Sequence, residues 1–243
     1  MKDLNYNSNI LKKVASLDTN LDKTEQIQLI EQIIDSGKLG QELLLNILID
    51  RCIVQKRKVK FLDGLIFEFL YFNSSDCIKT KLKSYFSCGL IELNSYLRLN
   101  YQPLQDLLIL HSFQEADKLT QHYLCLLAKL DHAPNRNWLY FTDVFSFPSE
   151  DLYILDQLWR IYSRNKFGFS VQRKIWLSVN KDWKKFWSSI GWSKNGVLSR
   201  YPSEFLWNIN APYGHLPLFN QLRGVQVISA LFNHRVWNQD DVL

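Results

Sequence analysis

The chain has 243 residues, 47% of them hydrophobic and 22% charged, with a formal net charge of +5. That length accommodates one large domain or two small ones, and two are expected; without a run of about 18 apolar residues, no transmembrane helix is indicated. The charge is mild and only partly focused, which weighs against a nucleic-acid-binding protein, since such a protein needs its cations gathered in one stripe.

The amino terminus, MKDLNYNSNILKKV, has neither the apolar core of a signal peptide nor the acid-poor, Arg- and Ser-rich look of a transit peptide, so a protein that works where it is made is expected. Cys52, Cys77, Cys88 and Cys125 form no CxxC pair. That argues against a zinc site and a disulfide framework, and the four are expected as buried or inert thiols in a reducing compartment.

From Met1 to about Leu97 the pattern is helical, with helices predicted over Leu4–Ala15, Lys23–Asp35, Leu39–Gln55, Phe61–Phe72 and Cys77–Phe86. In the second, Ile27, Ile30, Ile33 and Ile34 share a face, Asp22 can cap the start with Glu25 three residues on, and Gly37 can close the end. Lys56, Arg57, Lys58 and Lys60 read as the polar end of the third helix, where cations complement the dipole. Residues 1–97 are therefore expected as a small helical bundle or stacked array that packs or binds a partner.

Residues 98–243 form the second expected domain. Seven of the eight tryptophans lie between Trp138 and Trp207. Pro103 sits where a helix can start, and apolar residues at helical spacing predict one running through about Lys129. After a loop with Asp131, Pro134 and Asn135 comes WLYFTDVFSFP, in which Pro148 stops any helix before it. Three further helices are predicted, with Ser149, Ser170 and Asn180 as candidate caps. In the last of these Trp183 and Trp187 lie one turn apart. The amphipathic pattern turns Trp176, Trp183 and Trp187 inward and Arg173, Lys174, Lys184 and Lys185 outward. Lys194, Asn195 and Gly196 suggest a hairpin tip, and a final helix is predicted from about Arg223 to Asn233.

Between hairpin and final helix runs PSEFLWNINAPYGHLPLFNQLRG, Pro202 to Gly224. Its three prolines remove backbone donors and fix φ, so it cannot be one regular helix. It is a loop that holds aromatic side chains beside amides, a histidine and an arginine, the kind of segment on which binding sites are built.

The runs SFPSEDLYILDQLWRIYSRNKFGFSVQRKIW, IGW from Ile190, RYPSEFLWNINAPYGHLPLFNQLRGV and a closing VW resemble the genomes-uncoupled family of tetrapyrrole-binding regulators of magnesium chelatase, from about Leu104 to Trp237. The helical half before them resembles the amino-terminal bundle of cyanobacterial and algal members. The resemblance implies an all-α fold with a short β-hairpin and long shaped loops. It also implies a cupped site for protoporphyrin IX or magnesium protoporphyrin IX and an accessory role at the chelatase, whose porphyrin-binding large subunit would be the partner.

A porphyrin is a flat apolar ring with propionates on one edge, so a receptor needs aromatic and aliphatic walls with cations and amides at the rim. The resemblance places Phe141, Val144 and Phe205 on the wall and Asn220 and Arg223 at the polar edge, with Trp192 and Trp207 as neighbours. Two positions depart from the family pattern: Leu198 stands in the hairpin where an aromatic is common, and Gln226 where a second arginine often follows.

No enzymatic activity is expected. The five histidines are dispersed, no acid cluster could hold magnesium, and no glycine-rich phosphate loop follows a strand, so ATP-driven chelation must lie in a partner. His215 is expected to hydrogen-bond backbone rather than ligate a metal. Glu150, Asp151 and Asp156 are expected as cap and dipole partners. The alternative function is an interaction module without a porphyrin, such as a nucleic-acid adaptor using Arg164 to Lys185. The resemblance and the AT-rich coding bias of the residue usage point to the chloroplast stroma of an alga, and next to a cyanobacterial cytoplasm. A monomer is expected, with peripheral contact to an anionic membrane as a further expectation.

Overall fold

The computed structural model describes residues 10–17, 21–128, 138–218 and 225–238. Among the described residues the fold is all-α apart from one two-stranded hairpin, and the chain divides into two compact units, Met1–Glu92 and Leu93–Leu243. No helix among the described residues is long and apolar enough to cross a membrane.

In the first unit α1 is helical over 10–16. It is followed by α2 (Lys23–Asp35), α3 (Lys38–Ile49), α4 (Phe61–Asn73) and α5 (Asp76–Tyr85). The expected capping box forms: Asp22 and Glu25 exchange hydrogen bonds with each other's backbone at 2.8 and 2.9 Å. Ile30, Ile33 and Ile34 of α2 are buried with Leu44 and Leu48 of α3 and Leu65, Ile66 and Leu70 of α4, each such side chain contributing about 1.5–3 kcal/mol when fully buried. Gly37, at φ 85°, makes the turn between α2 and α3. At Gly40 any Cβ would strike the Ile33 carbonyl, so a glycine is required for this close approach.

Two expectations for this unit change. Helix α3 ends in a π-helical turn (Asp50–Val54), and Lys56 to Lys60 follow it in non-helical backbone with Lys56 at φ 48°. They are therefore a link rather than a helix end. Of the cysteines expected as buried or inert, Cys125 is buried, whereas Cys77 and Cys88 are exposed, so burial does not hold for those two. Cys52 is half-buried, and burial, then Asp63, push its thiol up to about 12, which keeps it inert.

The second unit comprises α6 (Gln102–Ile109), α7 (Phe113–Leu127), α8 (Phe141–Val144), α9 (Ser149–Ile161), α10 (Phe169–Ser178) and α11 (Trp183–Ser189). Strands β1 (Ser193–Lys194) and β2 (Val197–Leu198), α12 (Gln226–Phe232) and a 3₁₀ turn (Arg235–Asn238) complete it. The single helix expected from Pro103 to Lys129 is two helices. Ser112 N–H donates to Leu107 O and His111 N–H to Leu108 O, which closes α6 with His111 at φ 55°. The turn sends Phe113 into the core against Trp159, 6.1 Å away, and Phe167, 5.4 Å away. Trp159 is fully buried and its indole N–H donates to Thr120 Oγ1 at 2.9 Å.

Cap assignments shift as well. Asn180 and Lys181 take positive φ beyond α10, and Asp182 caps α11 by accepting from Lys184 N–H and Lys185 N–H. Ser149 and Ser170 lie inside their helices. Glu150 and Asp151 lie in the first turn of α9 as expected, and Asp156, farther along, serves the start of α10 instead; both aspartates are buried, Asp151 accepting from Arg98 N–H and the Tyr101 hydroxyl, and Asp156 from Ser170 N–H, Ser170 Oγ and Arg160 Nε. Lys174, Lys184 and Lys185 point outward as expected. Arg173 does not, since its Nε donates to Phe232 O at 2.7 Å and closes the end of α12.

Candidate tetrapyrrole site

Helix α8 is one turn long. Asp143 Oδ2 accepts from Tyr140 N–H at 2.7 Å and Ser146 Oγ donates to Asp143 O at 2.6 Å, so both ends are tied by local polar groups. Its underside is Val144, fully buried where α8 packs on α12. Its outer side carries Phe141, 44% exposed, with Tyr140 and Phe145 exposed next to it. Phe147 O, just beyond, accepts from His234 Nε2 at 3.2 Å. Sequence reasoning named Phe141 and Val144 and missed Tyr140 and Phe145, because a single turn has no periodicity from which to read its outer face.

An aromatic spine continues from α12 into the body of the unit. Phe232 packs against Trp176, Trp183 and Phe186, with centroids 5.5–6.3 Å apart, and Phe186 meets Trp192 edge-on at 6.3 Å. Trp192 is fully buried. It opens the hairpin, in which Ser193 pairs with Leu198 and Lys194 with Val197. Asn195 at φ 52° and Gly196 at φ 80° make the tight turn that Asn-Gly predicts. Leu198 is half-buried and Val197 exposed.

The loop after the hairpin is built around His215, 1% exposed. Its Nδ1 lies 2.7 Å from Ile190 O, and its Nε2 accepts from Leu206 N–H at 3.0 Å. That assigns the neutral tautomer with the proton on Nδ1. Burial holds its pKa below the ordinary value, against the opposing Ile190 bond. With both ring nitrogens engaged, His215 offers no axial bond to a metal. Phe205, nearly buried, packs on His215 at 5.6 Å and on Trp207 at 6.3 Å, while the Trp207 indole N–H donates to Pro202 O. Tyr201 meets Trp207 edge-on, and Tyr201, Leu206 and Tyr213 are exposed.

The loop's end is stapled down. Gly214 N–H donates to Lys166 O and Gly168 N–H to Leu216 O, Gln172 Nε2 donates to both Gly214 O and Pro217 O, and Leu218 N–H donates to Asp117 Oδ1. Gly214 has φ 73°, and a Cβ there would meet Ile175 and Ile190 below 3.0 Å. The predicted residues thus separate into a buried framework (Val144, Trp192, Phe205), more accessible side chains (Phe141, Leu198, Trp207), and Asn220 and Arg223, which lie outside the described residues.

The family pattern described as GUN4-like matches residues 94–235, and the one described as an ARM-like repeat domain, GUN4-N terminal, matches residues 4–87. The chain belongs to the GUN4-like family. It is 45% identical over 231 residues to the ycf53 protein of Porphyra purpurea, covering 94% of each chain. It is also 39% identical over 215 residues to the Ycf53-like protein of a Synechocystis strain, covering 88% of this chain and 91% of that one. An Arabidopsis thaliana protein named "Tetrapyrrole-binding protein, chloroplastic" is 36% identical over 143 residues, 55% of this chain and 54% of that one. Among solved structures, GUN4 from Chlamydomonas reinhardtii superposes with a TM-score of 0.56 at 40% identity, covering 60% of this chain and 95% of that one. Ligand-free Arabidopsis GUN4 gives 0.53 at 36% identity, covering 57% and 98%.

Proposed function

We propose that this protein binds protoporphyrin IX and magnesium protoporphyrin IX through its second unit and, without catalysing a reaction itself, stimulates magnesium chelatase in chlorophyll biosynthesis. The observation that carries the reading is the outer face of α8. Tyr140, Phe141 and Phe145 are presented to solvent over a buried Val144, in a unit that buries many of its other large aromatics, among them Phe113, Trp159, Phe186 and Trp192. A short, locally capped turn that exposes three aromatic rings suits a flat apolar ligand, whose ring would gain about 25 cal/mol for each Å² removed from water. The relationship to the Arabidopsis protein named for tetrapyrrole binding supports the same ligand class.

In this reading Phe141, Leu198 and Trp207 border the ring, Val144, Trp192 and Phe205 hold the surface that carries them, and Asn220 and Arg223 serve the propionate edge. The porphyrin-binding large subunit of the chelatase is the partner. The plastid is the compartment, supported by the chloroplastic designation of the Arabidopsis relative. Titration with deuteroporphyrin should quench tryptophan emission with one-site saturation, and addition of the chain to reconstituted chelatase should raise its rate at limiting porphyrin. Absence of quenching by any porphyrin, with salt-sensitive nucleic-acid binding in its place, would reject the proposal.

A further inference from the structure

Helices α10 and α11 meet at a corner where a line of three tryptophans reaches the surface. Ring centroids lie 5.1 Å apart for Trp176 and Trp183, and 6.4 Å apart for Trp183 and Trp187. Trp176 is buried, whereas Trp183 and Trp187 are half-buried and Leu177, on the α10 side, is 39% exposed. The amphipathic pattern predicts all three rings inside, yet two of them sit at the boundary with water.

Cations surround this line. From Arg173 to Lys185 the chain holds five basic residues and one acid, Asp182. Arg173 is engaged with Phe232 O, and Asp182 caps α11. Lys174, Lys181, Lys184 and Lys185 are exposed, and the Lys181 ammonium stands 5.4 Å from the centroid of the Trp176 ring. The corner thus combines half-buried indoles, an exposed aliphatic side chain and cations on long flexible stems.

That combination discriminates between anionic partners. Single-stranded nucleic acid is held by bases that stack on open aromatic faces. Trp183 is crowded on its faces, with Trp176 tilted against it at 32° and Phe232 stacked with it at 15° and 6.3 Å, so it presents its edge. A bilayer surface needs no open face. Indoles favour the headgroup level, where an apolar body meets water, and aliphatic side chains reach below it. Lysine stems bury their methylenes while the ammonium groups stay with the phosphates.

We propose that the α10–α11 corner is a contact surface for an anionic lipid bilayer: Leu177, Trp183 and Trp187 sit at headgroup level, and Lys181, Lys184 and Lys185 pair with lipid phosphates. Such binding is shallow and reversible. The inference concerns the second unit alone and stands independently of the porphyrin reading.

Co-sedimentation of the full chain, without porphyrin, tests it with vesicles of phosphatidylcholine containing phosphatidylglycerol. At 0.1 M salt, where screening acts over about 10 Å, these vesicles should bind the protein at least about tenfold more tightly than pure phosphatidylcholine. Each lysine near an anionic surface is worth roughly fivefold in partitioning, so Lys184→Glu with Lys185→Glu should weaken binding by about 25-fold or more. Both positions lie in the first turn of α11, where an acid suits the helix dipole, so circular dichroism should be unchanged. Lys56→Glu with Arg57→Glu, at exposed positions of the first unit, changes the net charge equally and should weaken binding less than about threefold. Leu177→Ser should weaken it by roughly threefold or more, and phosphatidylcholine brominated on its acyl chains, mixed into the anionic vesicles, should quench tryptophan emission.

Absence of a preference for the anionic vesicles would overturn the proposal. Equal losses from the two double variants would do so too, because net charge alone then accounts for binding. The same holds if Leu177→Ser has no effect and brominated lipid does not quench, or if the α11 double variant keeps its vesicle binding but loses affinity for a single-stranded oligonucleotide.

Discussion

The indole N–H of Trp192 donates to the carbonyl oxygen of His215 at 2.8 Å, with both residues buried. This bond ties the start of the hairpin to the centre of the loop, so Trp192 acts beneath the candidate site rather than on its surface. Trp192→Phe leaves that carbonyl without its donor and opens a small cavity, and it should lower stability by about 1–3 kcal/mol, read from urea unfolding. Porphyrin affinity under folding conditions should change far less than it does for a side chain that touches the ring.

Phe141 and Val144 occupy the same helical turn with opposite exposures. Phe141→Ala should leave stability within about 0.5 kcal/mol while weakening porphyrin binding. Val144→Ala removes buried methyl groups between α8 and α12 and should cost about 1–2.5 kcal/mol in stability. Thermal unfolding and fluorescence titration on both variants check the separation.

Among the described residues, the two buried histidines of the second unit, His215 and His234, hold neutral tautomers. His234 Nδ1 accepts from Val236 N–H while Nε2 faces Phe147 O, and burial lowers its pKa just as it lowers that of His215. A base with a depressed folded-state pKa contributes stability above its unfolded pKa of about 6.5 and loses it as the pH falls toward the folded value. NMR titration should therefore place both imidazole midpoints below about 6.5, and unfolding free energy should decline in the same window. Midpoints at or above 6.5 would contradict the burial argument.

Under the proposed function, Arg223 and Gln226 would bear on the propionate edge. A charge-assisted contact is worth roughly 1.5–3 kcal/mol, so Arg223→Ala should weaken porphyrin binding by about 10- to 150-fold. Gln226 is exposed at the first position of α12, so Gln226→Arg is sterically tolerated and should tighten binding by adding a cation. Dissociation constants within error of wild type for both variants, with unchanged circular dichroism, would place the anionic edge elsewhere.

Much of the local structure was legible in the sequence because its causes lie within a few residues. The apolar period of α2, the Asp22–Glu25 box, the Asn195–Gly196 turn and the proline-rich loop need only neighbouring residues to specify them. The family resemblance likewise rested on contiguous runs. By contrast, the break at His111 was hidden, since the apolar spacing runs unbroken through it. It forms where a local bond pattern permits a turn that carries Phe113 to Trp159.

Tertiary structure alone decided which polar and aromatic groups face inward. Asp151 and Asp156 look like helix-start acids in sequence, yet their donors are Arg98 and Tyr101 for the first and Ser170 with Arg160 for the second. Nothing near Asp117 in sequence announces Leu218, and nothing near Trp192 announces His215. A buried polar group is stable only when a donor or acceptor is brought to it, and at these positions that partner comes from a distant part of the chain. The sequence by itself therefore determined most of the local elements and the irregular character of the loop. Among the described residues, the packed chain decided which side chains of that loop are buried, as Phe205 and His215 are, and which stay exposed, as Leu206 and Tyr213 do.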